Sequence, residues 1–137
     1  MSQRIQVVGL YVLDQDEALD FYVKKLGFKV HTDARNGDYR WLTVAHPDQP
    51  AFQLGLFRPQ PPTVDEATAK TLSQAVAKGA MPPLVLVVED CRAACAQMKQ
   101  RGVEFTQEPT ERYGSIDASF RDPSGNGWKV VQAPRSA

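Results

Sequence analysis

The chain has 137 residues, enough for one domain with a real core and short for two independent ones. Sixteen basic and sixteen acidic residues cancel to zero net charge, and no Lys/Arg run forms a phosphate-binding stripe, which argues against a nucleic-acid partner. The longest apolar runs, "VVGLYVL" and "PPLVLVV", are too short to span a bilayer, and no basic segment followed by an apolar one opens the chain, so neither membrane insertion nor a signal peptide is expected.

In chain order, Val7–Leu13 reads as a short apolar strand ending at Asp14, an aspartate suited to N-capping. Asp14-Gln15-Asp16-Glu17 has capping-box spacing, and a helix follows with Ala18, Leu19, Tyr22 and Leu26 on its apolar face. Gly27 stands where a left-handed residue ends a helix. Phe28–Thr32 is extended, and Tyr39–Ala45 with Phe52–Phe57 forms a hairpin around "AHPDQP". Residues 58–80 have Pro-rich, linker-like ends. Their middle carries a Thr63-x-x-Glu66 cap and an apolar pattern through Val64, Ala67, Leu72, Ala75 and Val76, which predicts a connecting helix over one edge of the sheet.

The second half repeats this order. Leu84–Val88 is a strand, Asp90 an N-cap, and the next helix carries Cys91, Ala94, Cys95 and Met98 on its apolar face. Gly102 ends it, Val103–Gln107 is extended, and Ile116–Phe120 pairs with Trp128–Gln132 across the turn "DPSGNG". The tail "APRSA" is expected to fray. Two cysteines four residues apart in a helix suit packing neighbours better than a disulfide framework, so reduced core thiols and a cytoplasmic location are expected.

The two halves align at one common offset of 76 residues. Leu10 meets Leu86, Val12 meets Val88, Asp14 meets Asp90, Ala18 meets Ala94 and Lys25 meets Arg101. Further along, "HPDQPAFQLGL" falls on "DPSGNGWKVVQ", so Pro47 meets Pro123, Phe52 meets Trp128 and Gln53 meets Lys129. Two separate blocks in one register indicate an internal duplication. The expected organisation is a single domain, 1–137: module one 1–57, a linker with a short helix 58–80, module two 81–132, and the tail 133–137. Each module is β-α-β-β-β, an α+β fold in which the tandem modules build a curved mixed sheet.

A duplicated unit of this kind, with "VVGLYVLDQDEALDFYVKKLGF" at the start and "FRDPSGNGWKVVQ" at the end, resembles the vicinal oxygen chelate superfamily. That group holds glyoxalase I, extradiol dioxygenases, fosfomycin-modifying enzymes and bleomycin-binding resistance proteins. The resemblance spans nearly the whole chain outside the linker and speaks to fold more than to activity. It implies a half-barrel around a divalent metal held by His or Glu from the first and last strand of each module. The positions that match are Val7, Gln53, Pro83 and Lys129. Valine and proline offer no ligand atom, glutamine is a weak neutral donor, and a protonated lysine repels a cation. No metal and no other cofactor is expected on this donor set. His31 and His46 read as loop histidines.

In the family's architecture alternate strand residues face the concave side. Val7 then brings Gly9 and Tyr11, Pro83 brings Val85 and Val87, Gln53 brings Gly55 and Phe57, and Lys129 brings Val131. On the hairpin, either Trp41 and Thr43 or Arg40 and Leu42 point inward. Candidate ligand contacts are Val7, Gly9, Tyr11, Trp41, Gln53, Val85, Tyr113 and Lys129; Lys129 is also placed to pair with Asp117 or Glu108, and no catalytic residue is assigned. The resemblance implies a homodimer that binds a small organic molecule in a concave pocket without the catalytic metal. The alternatives are a metal-dependent lyase or dioxygenase with atypical ligands, and a structural or regulatory module with a vestigial cavity.

Overall fold

In a computed structural model, which describes residues 1–134, the chain forms two four-stranded sheets and three helices. The tail residues 135–137 lie outside the described residues. Strands β1 (Val7–Tyr11), β2 (Lys29–Asn36), β3 (Tyr39–Ala45) and β4 (Gln53–Phe57) make sheet one, in the order β1-β4-β3-β2. Strands β5 (Leu84–Val88), β6 (Phe105–Arg112), β7 (Ser115–Arg121) and β8 (Gly127–Gln132) make sheet two, in the order β5-β8-β7-β6. In each sheet the first strand pairs in parallel with the last and the remaining pairs are antiparallel. This is the tandem β-α-β-β-β arrangement expected from the repeat.

Each crossover is a capped helix. Asp14 accepts from the Glu17 backbone N–H at 2.9 Å to start α1 (Gln15–Asp20), and Asp90 accepts from Ala93 N–H at 3.0 Å to start α3 (Cys91–Gln100). α1 continues as a π-helical turn, Phe21–Lys25, in which Leu26 N–H reaches back to Phe21 C=O. Both Phe21 and Tyr22 are buried there. The linker helix α2 (Glu66–Ala77) packs beside β1, as expected. Its cap is Asp65, which accepts from Thr68 N–H at 2.7 Å, rather than Thr63, whose hydroxyl donates back to Gln60 C=O.

Two strands run longer than the sequence indicates. β2 extends past Thr32 to Asn36, and β6 past Gln107 to Arg112, because hairpin pairing carries polar residues that periodicity alone leaves as loop. The helix-bearing faces of both sheets share one core. Leu10, Leu42, Val44, Leu54 and Leu56 of sheet one, with Val12 just past β1, join Ala118, Phe120, Trp128 and Val130 of sheet two, and the rings of Phe21, Tyr22 and Phe28 lie among them. Phe120 and Trp128 stack at 5.9 Å and nearly parallel, with Tyr22 against Trp128 at 5.9 Å.

Candidate functional site

Because the helix-bearing faces meet in one core, the opposite faces of the two sheets look away from it. The register of β3 leaves Arg40, Leu42 and Val44 toward α1, so of the two alternatives Trp41 and Thr43 take the other face. Arg40 is held on the helix side by a two-pronged bond to Asp33 (2.9 and 2.9 Å) and a third to Asp16 on α1 (2.7 Å). It ties β2, β3 and α1 and takes no part in the concave surface.

On that surface of sheet one, Val7 pairs with Gln53, Gly9 with Gly55, and Tyr11 with Phe57. The two glycines form a floor on which the Phe57 ring lies: a Cβ on Gly55 would sit 2.3 Å from the ring, and one on Gly9 3.3 Å away. Trp41, more than a third exposed, packs on Phe57 with centroids 4.7 Å apart. Thr43 is buried beneath, and its hydroxyl has no partner among the described residues.

Gln53 is buried as well, and its amide meets His31 Nε2 at 3.3 Å. From sequence, His31 is expected to be a loop histidine. In the structure His31 is the extra residue of a β-bulge between Val30 and Thr32, and the bulge turns its ring toward Gln53. No sequence signal marks the bulge; hairpin register alone creates it.

Sheet two presents Val85, Val87, Lys129 and Val131, with Ser119 and Asp117 on the neighbouring strand. Lys129 Nζ lies 3.8 Å from Asp117, which also accepts from Gln107 Nε2 at 2.8 Å. Glu108, the other acid considered for Lys129, pairs with Lys99 instead. Val85 and Val87 are 57% and 62% exposed. Tyr113 stands fully exposed with φ 52° at the β6–β7 tip. Lys129 pairs across to Val85, whereas Gln53 pairs to Val7; β5 is therefore slid two residues against β8 relative to the repeat, and Pro83 precedes the strand. Of the four positions matching the family's metal ligands, Val7 and Gln53 are neighbours on sheet one, Lys129 is on sheet two, and Pro83 stands outside any strand. The donor set is two apolar side chains, an amide and an ammonium, which does not fit a divalent ion. Among the described residues no three His, Cys, Asp or Glu side chains cluster to hold one. Cys91 and Cys95 are buried with their sulfurs 4.0 Å apart, and burial raises both thiols, Cys95 to about 12.

The modules are joined by side chains of the Asp122–Asn126 turn. Asp122 Oδ1 accepts the backbone N–H groups of Ser124, Gly125 and Asn126, while its Oδ2 accepts from Tyr22 Oη at 2.7 Å. Trp128 Nε1 donates to the same tyrosine oxygen at 3.0 Å. Ser124 Oγ accepts from Leu13 N–H, and Asn126 Nδ2 donates to Tyr11 C=O at 2.8 Å. Gly125 lets α2 close over the turn, since a Cβ there would lie 2.3 Å from Val76 C=O and its φ is 117°. The "DPSGN" motif is thus spent on joining the modules.

Two linked β-α-β-β-β sheets with a concave face on each define a tandem-module small-ligand fold. Residues 4–130 match the model of the Glyoxalase/Bleomycin resistance protein/Dioxygenase superfamily, and the chain belongs to that family. It is 35% identical over 130 residues to the uncharacterized protein YurT of Bacillus subtilis (strain 168), covering 94% of this chain and 98% of that protein. Among solved structures it resembles UcmS2, with 41% identity, TM-score 0.88, and 97% and 100% of the two chains covered. It also resembles TnmS3, an antibiotic binding protein from Streptomyces sp. CB03234, with 28% identity, TM-score 0.73, and 97% and 98% covered. No helix among the described residues is long and apolar enough to cross a membrane.

Proposed function

We propose that this protein binds a small organic molecule on its concave surface without a metal, and that two copies complete the pocket. The observation that carries the reading is the retained concave frame with its metal donors replaced by Val7, Gln53, Pro83 and Lys129. What lines it suits an organic ligand: the Trp41–Phe57 pair for a flat apolar body and Lys129 for an acidic group. The exposed Val85 and Val87 on the free edge strand β5 suit burial against a second copy rather than water. The likeness to an antibiotic binding protein supports antibiotic-like molecules as the class to try first.

The rival reading, a metal-dependent lyase or dioxygenase, draws on the imidazole of His31 beside Gln53. One imidazole is too few for a tight site. The two readings part in one experiment. Protein purified without chelator is assayed for metal, then screened by thermal shift against aromatic antibiotics, thiol conjugates and catechols before and after EDTA. Stabilisation by one class, unchanged by EDTA and reduced in Trp41→Ala, is expected. Stoichiometric Fe, Mn, Ni or Zn lost in His31→Ala would favour the enzyme, and the absence of any hit would sink the binding reading.

A further inference from the structure

The duplication allows a comparison inside one molecule, because the residues that join the modules have sequence counterparts at the 76-residue offset, with β5 slid by two residues in the paired sheet. On one side the Asp122–Asn126 turn is latched to module one through Tyr22, Leu13 and Tyr11. The counterpart pairs on the other side are His46 with Met98, Asp48 with Glu89, and Pro50 with Val87. Each pair has lost its bond. Methionine has no hydroxyl to give His46 and a proline offers no side-chain donor, while Asp48, a capable acceptor, is turned to His46 instead. The hydrogen bonds of the His46–Gln49 turn accordingly stay within module one among the described residues. The linker helix α2, which closes the first side, occurs once in the chain and leaves this side uncovered.

Where the second latch would be, the structure has a cleft of about 970 Å³. Its floor is Leu84, Leu86 and Val88 of β5, Met98 of α3, Phe28 and Trp128. It lies on the helix-bearing side of β5 and reaches round that strand's free edge to Val85 and Val87. α3 runs along it for about 15 Å at the helical rise, with Glu89 just before the helix and Arg101 just after it. At the Arg101 end two donors stand one helical turn apart on the same wall, the Gln97 amide and the Arg101 guanidinium. Neither side chain has a hydrogen-bond or ion-pair partner among the described residues. The guanidinium is set against the module-one backbone, where a Cβ on Gly27 would lie 2.9 Å from it.

We infer that this cleft is a second binding site, on the helix-bearing side of β5 and meeting the concave surface only at the edge residues Val85 and Val87, for an amphipathic carboxylate. The apolar body lies along β5 and α3, and the carboxylate is taken by Arg101 and Gln97. Both side chains are exposed at the mouth of the cleft, where a guanidinium donates paired N–H groups to a carboxylate. Glu89, at the far end, stands exposed in the β5–α3 connection and directs the charged head away from that end.

The test uses the full chain carrying Trp41→Phe, which leaves Trp128 in the cleft floor as its one tryptophan. Dodecanoate, titrated below its micelle concentration, is expected to change Trp128 emission saturably. Replacing it with dodecanol, or introducing Arg101→Glu, should each weaken binding about tenfold or more, the loss of a charge-assisted pair. Ala94→Trp, which fills the cleft wall, should abolish it, with circular dichroism checking the fold; Arg101→Glu is a surface change and holds the test open if Ala94→Trp misfolds. The inference is overturned by an absence of saturable binding, by tighter binding of dodecylammonium than of dodecanoate, or by loss of binding in Lys129→Glu with Arg101→Glu unaffected, which would move the head to the concave face. Dodecanoate excluded because a second copy covers the cleft, seen as binding that returns only on dissociation by dilution, would also overturn it.

Discussion

Tyr22 shows how one side chain holds the modules together. Its hydroxyl bonds both Asp122 and Trp128 inside a core of aromatic rings. Burial, followed by the neighbouring Asp122 carboxylate, raises its pKa well above the ordinary 10.0. The fold therefore keeps the neutral phenol while the unfolded chain ionises it. That contribution to stability is complete below pH 10 and is lost as pH climbs past 10 toward the folded value. Tyr22→Phe should cost about 1–3 kcal/mol at neutral pH, because Asp122 and Trp128 each lose a buried partner. It should also flatten the alkaline fall in stability. Urea melts of both proteins at pH 8 and above pH 10 check the two outcomes together; equal alkaline slopes would contradict the assignment to Tyr22.

Among elements, sheet one illustrates how glycines build a ligand surface. Gly9 and Gly55 leave space that the Phe57 ring fills, and Trp41 then rests on Phe57. Gly55→Ala should push the ring off its floor at a cost of about 1–3 kcal/mol, typical of overpacking. Trp41 emission should shift with it, because its stacking partner moves. A thermal melt with fluorescence of the single-tryptophan Trp128→Phe background reads both effects. The β2 bulge acts at the same scale, since one extra residue in a strand decides that His31 and Gln53 meet.

For the whole molecule, the duplication is symmetric in topology and asymmetric in chemistry. One interface between modules is latched by Asp122, Ser124 and Asn126; its counterpart is a cleft. The concave faces look outward from the shared core, and the free β5 edge carries exposed valines. A dimer that joins the concave face of one copy to that of another buries this edge. Light scattering on the purified chain should report a particle of two chains, and Val87→Glu should shift it toward one by placing a charge in the interface. A monomer at high concentration would leave each concave face as a half-pocket and argue against the proposed function.

The modules and their order are legible in the sequence itself. The apolar runs, the two capping aspartates and the shared offset of 76 residues determine the modules, their order and the helix–sheet core, because burial periodicity and capping are local properties of the chain. Side-chain identity at Val7, Gln53, Pro83 and Lys129 is legible in the sequence as well, and it is the ground for the proposal of metal-free binding. Strand register was not readable. It decides that Trp41 rather than Arg40 faces outward, that β5 slides two residues against β8, and that His31 reaches Gln53. Register comes from hairpin pairing across the sheet, and a slip of one residue exchanges the faces without changing the pattern. The cleft belongs to the same class. Its residues are scattered from Phe28 to Trp128, and only the packing of one module on the other brings them to a common wall.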